Sequence, residues 1–430
     1  MRIWGALLAI AIVGLLALVA TEDGRSRLSY AALVARVLWE ARFDEAEVPA
    51  FDLPELLATE AGEPIGDRRA WRARRAQLLA TFRDDIYGRA PTNVGAPPVE
   101  ILDHESGALK GLAERRQLRV WPGGREQPSA ELLLWLPAAR TGPVPVFVGL
   151  NFWGNHTTHP DPAILLESGW MRHAPDRGIE DHRATEASRG QSQSRWPVRA
   201  LLSRGYGLAT AFAGDFAADV DTRGVGPEFG GEGALTTWSW GLRRIADALV
   251  AWPDEVGPLL VVGHSRLGKA ALWAGAQDER FAAVFSNDSG CLGAALSRCR
   301  FGETLALMTD NFPHWFPPRF AERYAGREDG LPVDQHQLLA LIAPRPLYVA
   351  SASDDLWADP RGEYLAVREA SRAYELLGME GLRDDEPPPV DQPVHRRVGY
   401  HLRTGEHDLT VWDWERFLDF ADLHLPADGR

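Results

Sequence analysis

The residues with the clearest chemical potential lie in one short run, GHSRLG, which begins at Gly263. The preceding segment, 259–262, is typical of a buried strand, and a helical pattern covers 268–276. A serine between such a strand and helix is typical of a nucleophile elbow, where a sharp turn exposes the hydroxyl beside a helix N-terminus. The second glycine of the usual G-x-S-x-G pattern falls one position late here, at Gly268. The run still predicts Ser265 as the nucleophile of a serine esterase.

A serine hydroxyl needs a base, and this kind of enzyme supplies it from a loop near the chain end. His407 lies in such a loop, directly after the last predicted strand. Two acids compete to orient it. Asp355 follows the penultimate predicted strand, and Asp288 follows the strand after the nucleophile helix, so both preserve the chain order serine, acid, histidine. The sequence leaves the choice between them open.

Two groups are candidates for stabilising the oxyanion. Arg266 could place a guanidinium beside the developing charge, although a salt bridge at the helix start is the plainer interpretation. The loop 151–156 after a predicted strand could supply a backbone N–H. No metal-ligand set stands out beyond the pair His156 and His159, so we expect no metal site and no cofactor.

Strand-like and helical runs alternate along the chain. This alternation predicts an α/β-hydrolase fold, a three-layer αβα sandwich around a mostly parallel sheet. Helical patterns cover 67–87, interpreted as a surface helix, and 235–252. The long connections 155–196 and 302–331 are expected to be loops over a site. The strand-like runs are 130–136, 144–151, 207–212, 259–263, 281–286, 345–350 and 398–403.

Composition limits the remaining possibilities. The 430 residues have a formal charge of −14, which argues against a nucleic-acid partner. An apolar run over 3–20 predicts export, through a cleaved signal peptide or a retained membrane anchor at 1–20, to the periplasm, the cell exterior or the membrane surface. We expect a tether over 21–66 and one catalytic domain over 67–430. Cys291 and Cys299 could pair after export, but simple packing is the stronger expectation.

From about Trp71 to the C-terminus, the sequence resembles the bacterial branch of the glucuronoyl esterases, carbohydrate esterase family 15. The resemblance is carried by FRDDIYGRAP at 82–91, GLNFWGNH at 149–156, GHSRLGK at 263–269 and NDSGC at 287–291. The late glycine of the elbow is the pattern of this family, which has Ser-Arg at that place.

The resemblance implies a 4-O-methyl-glucuronoyl methylesterase type of carboxylic ester hydrolase. It would cleave the ester between (4-O-methyl-)glucuronic acid of glucuronoxylan and a lignin alcohol through an acyl-enzyme. Ser265 matches the nucleophile, His407 the base and Arg266 the transition-state arginine.

The resemblance also assigns the acids and the substrate contacts. Asp288 stands where many members carry a glutamate, and Asp355 stands at the alternative acid position. Lys269, Glu303 and Trp357 match residues that contact the glucuronate. The alternatives are a general carboxylesterase or acetyl-xylan esterase on the same fold, and an inactive carbohydrate-binding homologue.

Overall fold

The computed structural model describes residues 41–91, 95–221 and 229–425 together with Val37 and Gly226. The predicted export segment, 1–20, and most of the first half of the predicted tether lie outside the described residues. Within the described part of the chain, no helix combines the length and apolar character needed to cross a bilayer.

A large central sheet organises the molecule. The strands of the described chain are β1 Val99–Gly107, β2 Ala113–Val120, β3 Ala130–Pro137, β4 Val144–Asn151, β5 Ile179–Glu180, β6 Arg183–Ala184, β7 Gly207–Phe212, β8 Val256–His264, β9 Phe281–Asn287, β10 Leu347–Ala352, β11 Val394–His395 and β12 Val398–Arg403. Ten of these form one sheet in the order β1-β2-β3-β7-β4-β8-β9-β10-β12-β11, while β5 and β6 pair separately. The six strands from β7 to β12 in that order are mutually parallel.

Helices cover both faces of this sheet. They are α1 Arg68–Thr81, α2 Val198–Ser203, α3 Ala234–Leu249, α4 Arg266–Gln277, α5 Leu305–Asn311, α6 Pro318–Tyr324, α7 Gln335–Ala340, α8 Pro360–Leu376 and α9 Val411–His424, besides a single helical turn at Ala108–Gly111. Side chains of α1, α3, α4, α7 and α8 belong to one hydrophobic core, and those of α2 and α9 belong to a second.

The two cores lie on opposite faces of the sheet because successive strand residues point to opposite sides. On β8, Leu259 and Val261 enter the first core, whereas Leu260 and Val262 enter the second. The central part of the strand, 259–262, is apolar throughout, as expected for a parallel strand that is covered on both faces. The predicted three-layer α/β-hydrolase architecture is confirmed.

The predicted helix at 67–87 is present, but one side of it is buried. Asp67 caps α1, because its carboxylate accepts a hydrogen bond from the Ala70 N–H at 2.8 Å. Trp71 and Leu78 are buried, and the continuing π-helical segment Phe82–Tyr87 also packs into the core. The prediction of a surface helix was therefore incomplete, because the buried side chains of Trp71, Phe82 and Tyr87 pack this helix against the core.

The described part of the predicted tether, 41–66, lies against the catalytic body. Leu56 is fully buried, and the His336 Nε2–H donates to the Pro54 carbonyl at 2.9 Å. The Gly302 N–H donates to the Arg42 carbonyl at 2.8 Å. These contacts fix 41–66 as part of the folded unit.

The two long connections also contain more regular structure than expected. The segment 155–196 carries several 3₁₀ turns and the β5–β6 hairpin. The segment 302–331 carries α5 and α6, separated by the 3₁₀ turn Pro313–Trp315. Both connections are therefore ordered, and both extend to the candidate active site.

Candidate active site

The predicted catalytic residues follow four parallel strands that are neighbours in the sheet. Ser265 follows β8, Asp288 follows β9, Asp355 follows β10 and His407 lies in the loop after β12. Because the carboxyl ends of parallel strands meet at one edge of a sheet, these four residues share that edge.

The turn between β8 and α4 has the geometry of a nucleophile elbow. Ser265 has φ 57° and ψ −133°, in a region that a non-glycine residue rarely occupies. A Cβ atom on Gly263 would lie 2.1 Å from the Leu267 carbonyl oxygen, so this position requires glycine. A Cβ on Gly268 would come within 3.0 Å of the Ser289 side chain. The late glycine therefore serves the packing of α4 against the next loop.

His407 is paired with Asp355. The distance between His407 Nδ1 and Asp355 Oδ2 is 2.5 Å, and the Asp355 side chain is only 4% exposed. When Nδ1 donates its hydrogen to this carboxylate, Nε2 is left as the basic nitrogen. The His407 side chain remains 29% exposed, so the imidazole is accessible from the site. The geometry thus gives Asp355 the orienting contact.

Asp288 lies beside this pair without a hydrogen bond to the imidazole. Its Oδ2 accepts from the Asp408 N–H at 3.3 Å and lies 3.5 Å from Arg403 Nη2, while its Oδ1 has no hydrogen-bond partner among the described residues. Burial raises the pKa of Asp288 well above its ordinary value, and the nearby Asp355 carboxylate raises it further. One oxygen of each acid and a ring nitrogen of His407 lie within 4.8 Å of one another.

A second imidazole, that of His264, packs beside the His407 ring. The rings of His264 and His407 have centroids 4.6 Å apart, and His264 Nδ1 lies 2.5 Å from Asn287 Oδ1. Burial holds the pKa of His264 well below its ordinary value, so its ring is neutral. His264 was not predicted to belong to the site, because it occupies the variable position of the motif just before Ser265.

Arg266, the residue after Ser265, is surrounded by aromatic rings. Its guanidinium carbon is 5.0 Å from the ring centroid of Trp315, 5.4 Å from that of Phe312 and 5.8 Å from that of Phe152. Its Nη1 forms an ion pair with Asp219, whereas its Nε is buried without a hydrogen-bond partner among the described residues. No local sequence pattern marks the loop after β7, so Asp219 was not predicted to belong to the site.

The three predicted substrate contacts come together at the same edge. The Lys269 ammonium donates to the Ser289 and Cys291 carbonyls at 2.7 and 2.6 Å and lies 3.6 Å from Glu303 Oε2. The Glu303 N–H donates to the Trp357 carbonyl at 3.0 Å. Burial raises the pKa of Glu303, an effect that Lys269 partly opposes. Lys269 and Glu303 are nearly fully buried, and Trp357 is half-buried.

Other candidates have structural roles. Cys291 and Cys299 are both buried and unpaired. His156 Nε2 is 2.8 Å from Ser188 Oγ, and burial lowers its pKa to about 4. The His159 ring packs on Trp135 with centroids 5.5 Å apart. These contacts give both histidines a structural role.

Together, the parallel sheet, the elbow and the histidine–aspartate pair define a hydrolase of the α/β-hydrolase fold. Comparison with known proteins narrows this class. A family model for fungal glucuronyl esterases matches residues 228–378. A carbohydrate esterase of an unknown prokaryotic organism is 42% identical over 399 residues, which cover 89% of this chain and 92% of the relative.

Solved structures agree with this assignment. A promiscuous esterase of carbohydrate esterase family 15 from a marine bacterial metagenome superposes with a TM-score of 0.82 at 40% identity, covering 90% of this chain and all of the other. The glucuronoyl esterase of Solibacter usitatus gives a TM-score of 0.80 at 40% identity, covering 89% and 100%. The chain belongs to carbohydrate esterase family 15, the glucuronoyl esterases. It is a carboxylic ester hydrolase.

Proposed function

We propose that this enzyme hydrolyses the ester between glucuronic acid of glucuronoxylan and a lignin alcohol, with an acyl-enzyme on Ser265. The observation that carries the proposal is the elbow serine at the same sheet edge as the His407–Asp355 pair. Membership of the glucuronoyl esterases supports the uronate as the acyl group.

In the first half of the reaction, His407 Nε2 takes the proton of the Ser265 hydroxyl as Oγ attacks the uronate carbonyl carbon. Asp355 keeps the hydrogen on Nδ1 and stabilises the imidazolium that forms. The negative charge that develops on the carbonyl oxygen faces Arg266. The tetrahedral intermediate then collapses, the bond to the alcohol oxygen breaks, and His407 donates its proton to the departing alcohol.

In the second half, water replaces the alcohol. His407 removes a proton from the water as its oxygen attacks the acyl carbon. Collapse of the second intermediate returns the proton to Ser265 and releases the uronate as a carboxylic acid, which ionises in water. The same arrangement therefore serves both steps, with His407 alternating between base and acid.

The group formed by Lys269, Glu303 and Trp357 favours a sugar acid over a simple acyl group. The Glu303 carboxyl, held beside the Lys269 ammonium, and the half-buried Trp357 indole offer a polar group and a flat apolar face, which are features that a pyranose ring with hydroxyls requires. An acetyl group has neither ring nor hydroxyls for these residues to contact.

A general carboxylesterase is the second candidate function. The promiscuous esterase of the marine metagenome is 40% identical to this chain and has a similar fold, so a wider ester range occurs in a related protein. The two functions differ in which ester is hydrolysed with the higher kcat/KM.

The test compares hydrolysis of a benzyl ester of glucuronic acid with that of p-nitrophenyl acetate. We expect a clear preference for the glucuronate ester, and a loss of at least about 10⁴-fold in kcat for Ser265→Ala. Ser203→Ala, at an exposed position of α2, is the matched control and should leave both activities unchanged. Preference for the acetate would favour the general esterase, and an active Ser265→Ala would refute the mechanism.

A further inference from the structure

We propose that Asp219 is a positioning residue that holds the Arg266 guanidinium in the orientation in which its Nε–H faces the oxyanion of the substrate. The inference rests on the proposed function, because it assumes that Arg266 stabilises that oxyanion. It assigns a task to a residue in the loop after β7, outside the serine, histidine and acid of the site.

The two oxygens of Asp219 have separate partners. Oδ2 forms the ion pair with Arg266 Nη1. Oδ1 accepts hydrogen bonds from His314 Nε2 at 2.9 Å and from Trp315 Nε1 at 2.8 Å. Burial would raise the pKa of Asp219, but Arg266 and the other donors hold it well below its ordinary value. The carboxylate is therefore ionised and joins Arg266 to the turn that carries Trp315.

The opposite edge of the guanidinium is left for the substrate. A guanidinium is planar and presents its N–H donors in a fixed fork, so fixing Nη1 also fixes the direction of Nε–H. That Nε is buried and lacks a partner among the described residues. An unpaired buried donor is costly, and a site that retains one commonly uses it for a ligand.

The aromatic rings around Arg266 restrict its motion further. Trp315 and Phe312 belong to one turn, Phe152 lies in the loop after β4, and the Arg266 side chain is only 19% exposed. With little water present, an oriented donor is worth more to a developing charge than the same donor in bulk solvent. The rings alone leave rotation about the long side chain, which Asp219 removes.

Asp219 is itself held in place. Arg172, from the long connection 155–196, donates to the Asp219 backbone carbonyl at 2.5 Å. Asp219 therefore links three segments: its own loop, the 155–196 connection and the turn at Pro313–Trp315. This gives both long connections a role in orienting Arg266.

The alternative is that Asp219 only stabilises the fold. Asp219→Asn separates the two roles. Asparagine retains an Oδ1 that can accept from His314 and Trp315, but it presents an NH₂ group instead of an acceptor to Arg266. We expect kcat for the glucuronate ester to fall by at least about tenfold. The upper limit is the roughly 10²- to 10³-fold loss that removal of one oxyanion donor causes. KM should change little, whereas the melting temperature should fall because Arg266 loses its counter-charge.

A double-mutant cycle with Arg266→Ala gives the decisive readout. In the Arg266→Ala background, Asp219→Asn should reduce kcat less than twofold, since there is no guanidinium left to orient. Asp219→Ala provides a second variant for the same cycle. The matched control is Asp84→Asn, because Asp84 also accepts from two arginines, Arg83 and Arg89, outside the site. The control should leave kcat unchanged.

Equal losses of kcat in both backgrounds, or a wild-type kcat in Asp219→Asn, would overturn the inference. A fall in melting temperature with an unchanged kcat would assign Asp219 to stability alone. The cycle uses whichever ester the wild type hydrolyses best. Failure of the proposed function would therefore appear in the substrate comparison and in Ser265→Ala, and failure of this inference would appear in the cycle.

Discussion

Replacement of the two acids beside His407 is the sharpest test of the site. The structure gives Asp355 a 2.5 Å contact with His407 Nδ1, and it gives Asp288 none with the imidazole. Asp355→Asn keeps the size of the side chain but removes the charge that fixes the tautomer and stabilises the imidazolium. We therefore expect Asp355→Asn to slow the reaction far more than Asp288→Asn.

The expected magnitudes follow from these contacts. An amide in place of the aspartate of a catalytic triad costs about 10⁴-fold in kcat. The Asp288 carboxyl lies close enough to take over part of the task, so Asp355→Asn should cost on the order of 10²- to 10⁴-fold. The raised pKa of Asp288 favours its neutral form, which asparagine imitates. Asp288→Asn should therefore change kcat by less than about tenfold, well under 2 kcal/mol in barrier height.

The assay is steady-state hydrolysis of the benzyl glucuronate ester by the wild type, both single variants and the double variant. Melting temperatures of all four show whether the fold is intact. If Asp288 replaces Asp355 in the variant, the double change should cost more than the sum of the two single changes in barrier height. The reasoning is refuted if Asp288→Asn slows turnover as much as Asp355→Asn does, because Asp288 would then be the acid that His407 uses.

Two further predictions concern stability. Burial raises the pKa of Glu363 from 4.5 to about 7, so folding loses stability as pH rises between these values, by about 3 kcal/mol. Glu363→Gln should remove that loss. The melting temperature of the variant, measured relative to that of the wild type, should therefore rise from pH 4.5 to pH 8. A difference in melting temperature that stays constant over this range would contradict the raised pKa of Glu363. Gly263→Ala places a Cβ 2.1 Å from a carbonyl oxygen and should lower the free energy of unfolding by roughly 1–3 kcal/mol or more in urea melts. Gly142→Ala, where nothing lies within 4 Å, is the control, and equal effects of the two changes would exclude the steric argument.

Local sequence patterns predicted the parallel strands and the antiparallel β3, but they missed β1, β2 and β11 at the two edges of the sheet. The parallel strands are covered on both faces, so each is a plain apolar run. Strand β2 reads AERRQLRV and is nevertheless largely buried. Its Arg115 pairs with Asp103 and Asp161, which lie in other segments. Because the pairing that allows these charges to be buried is non-local, no window of β2 alone could reveal the strand.

The site shows the same division between local and non-local information. Ser265 and Arg266 were predicted from one short run, and His407 from its place after the last strand. The role proposed for Asp219 depends on loops that meet only in the folded chain, and so does the packing of His264 against His407. Loop residues of this kind have no sequence periodicity of their own. Their proximity is set by the arrangement of the strand ends, so it can be identified only in the folded structure.

The choice between the two acids illustrates why strand order matters. In the sheet, β10 lies directly beside β12, whereas β9 is one strand further away. Neighbouring strands are about 4.8 Å apart, so an acid after β9 must reach across about twice the distance that an acid after β10 must cover. A glutamate, with one more methylene, is better suited to that longer reach than Asp288. Asp288 has the shorter side chain and follows the more distant strand, whereas Asp355 follows the strand next to β12. Asp355 is therefore the acid that contacts His407.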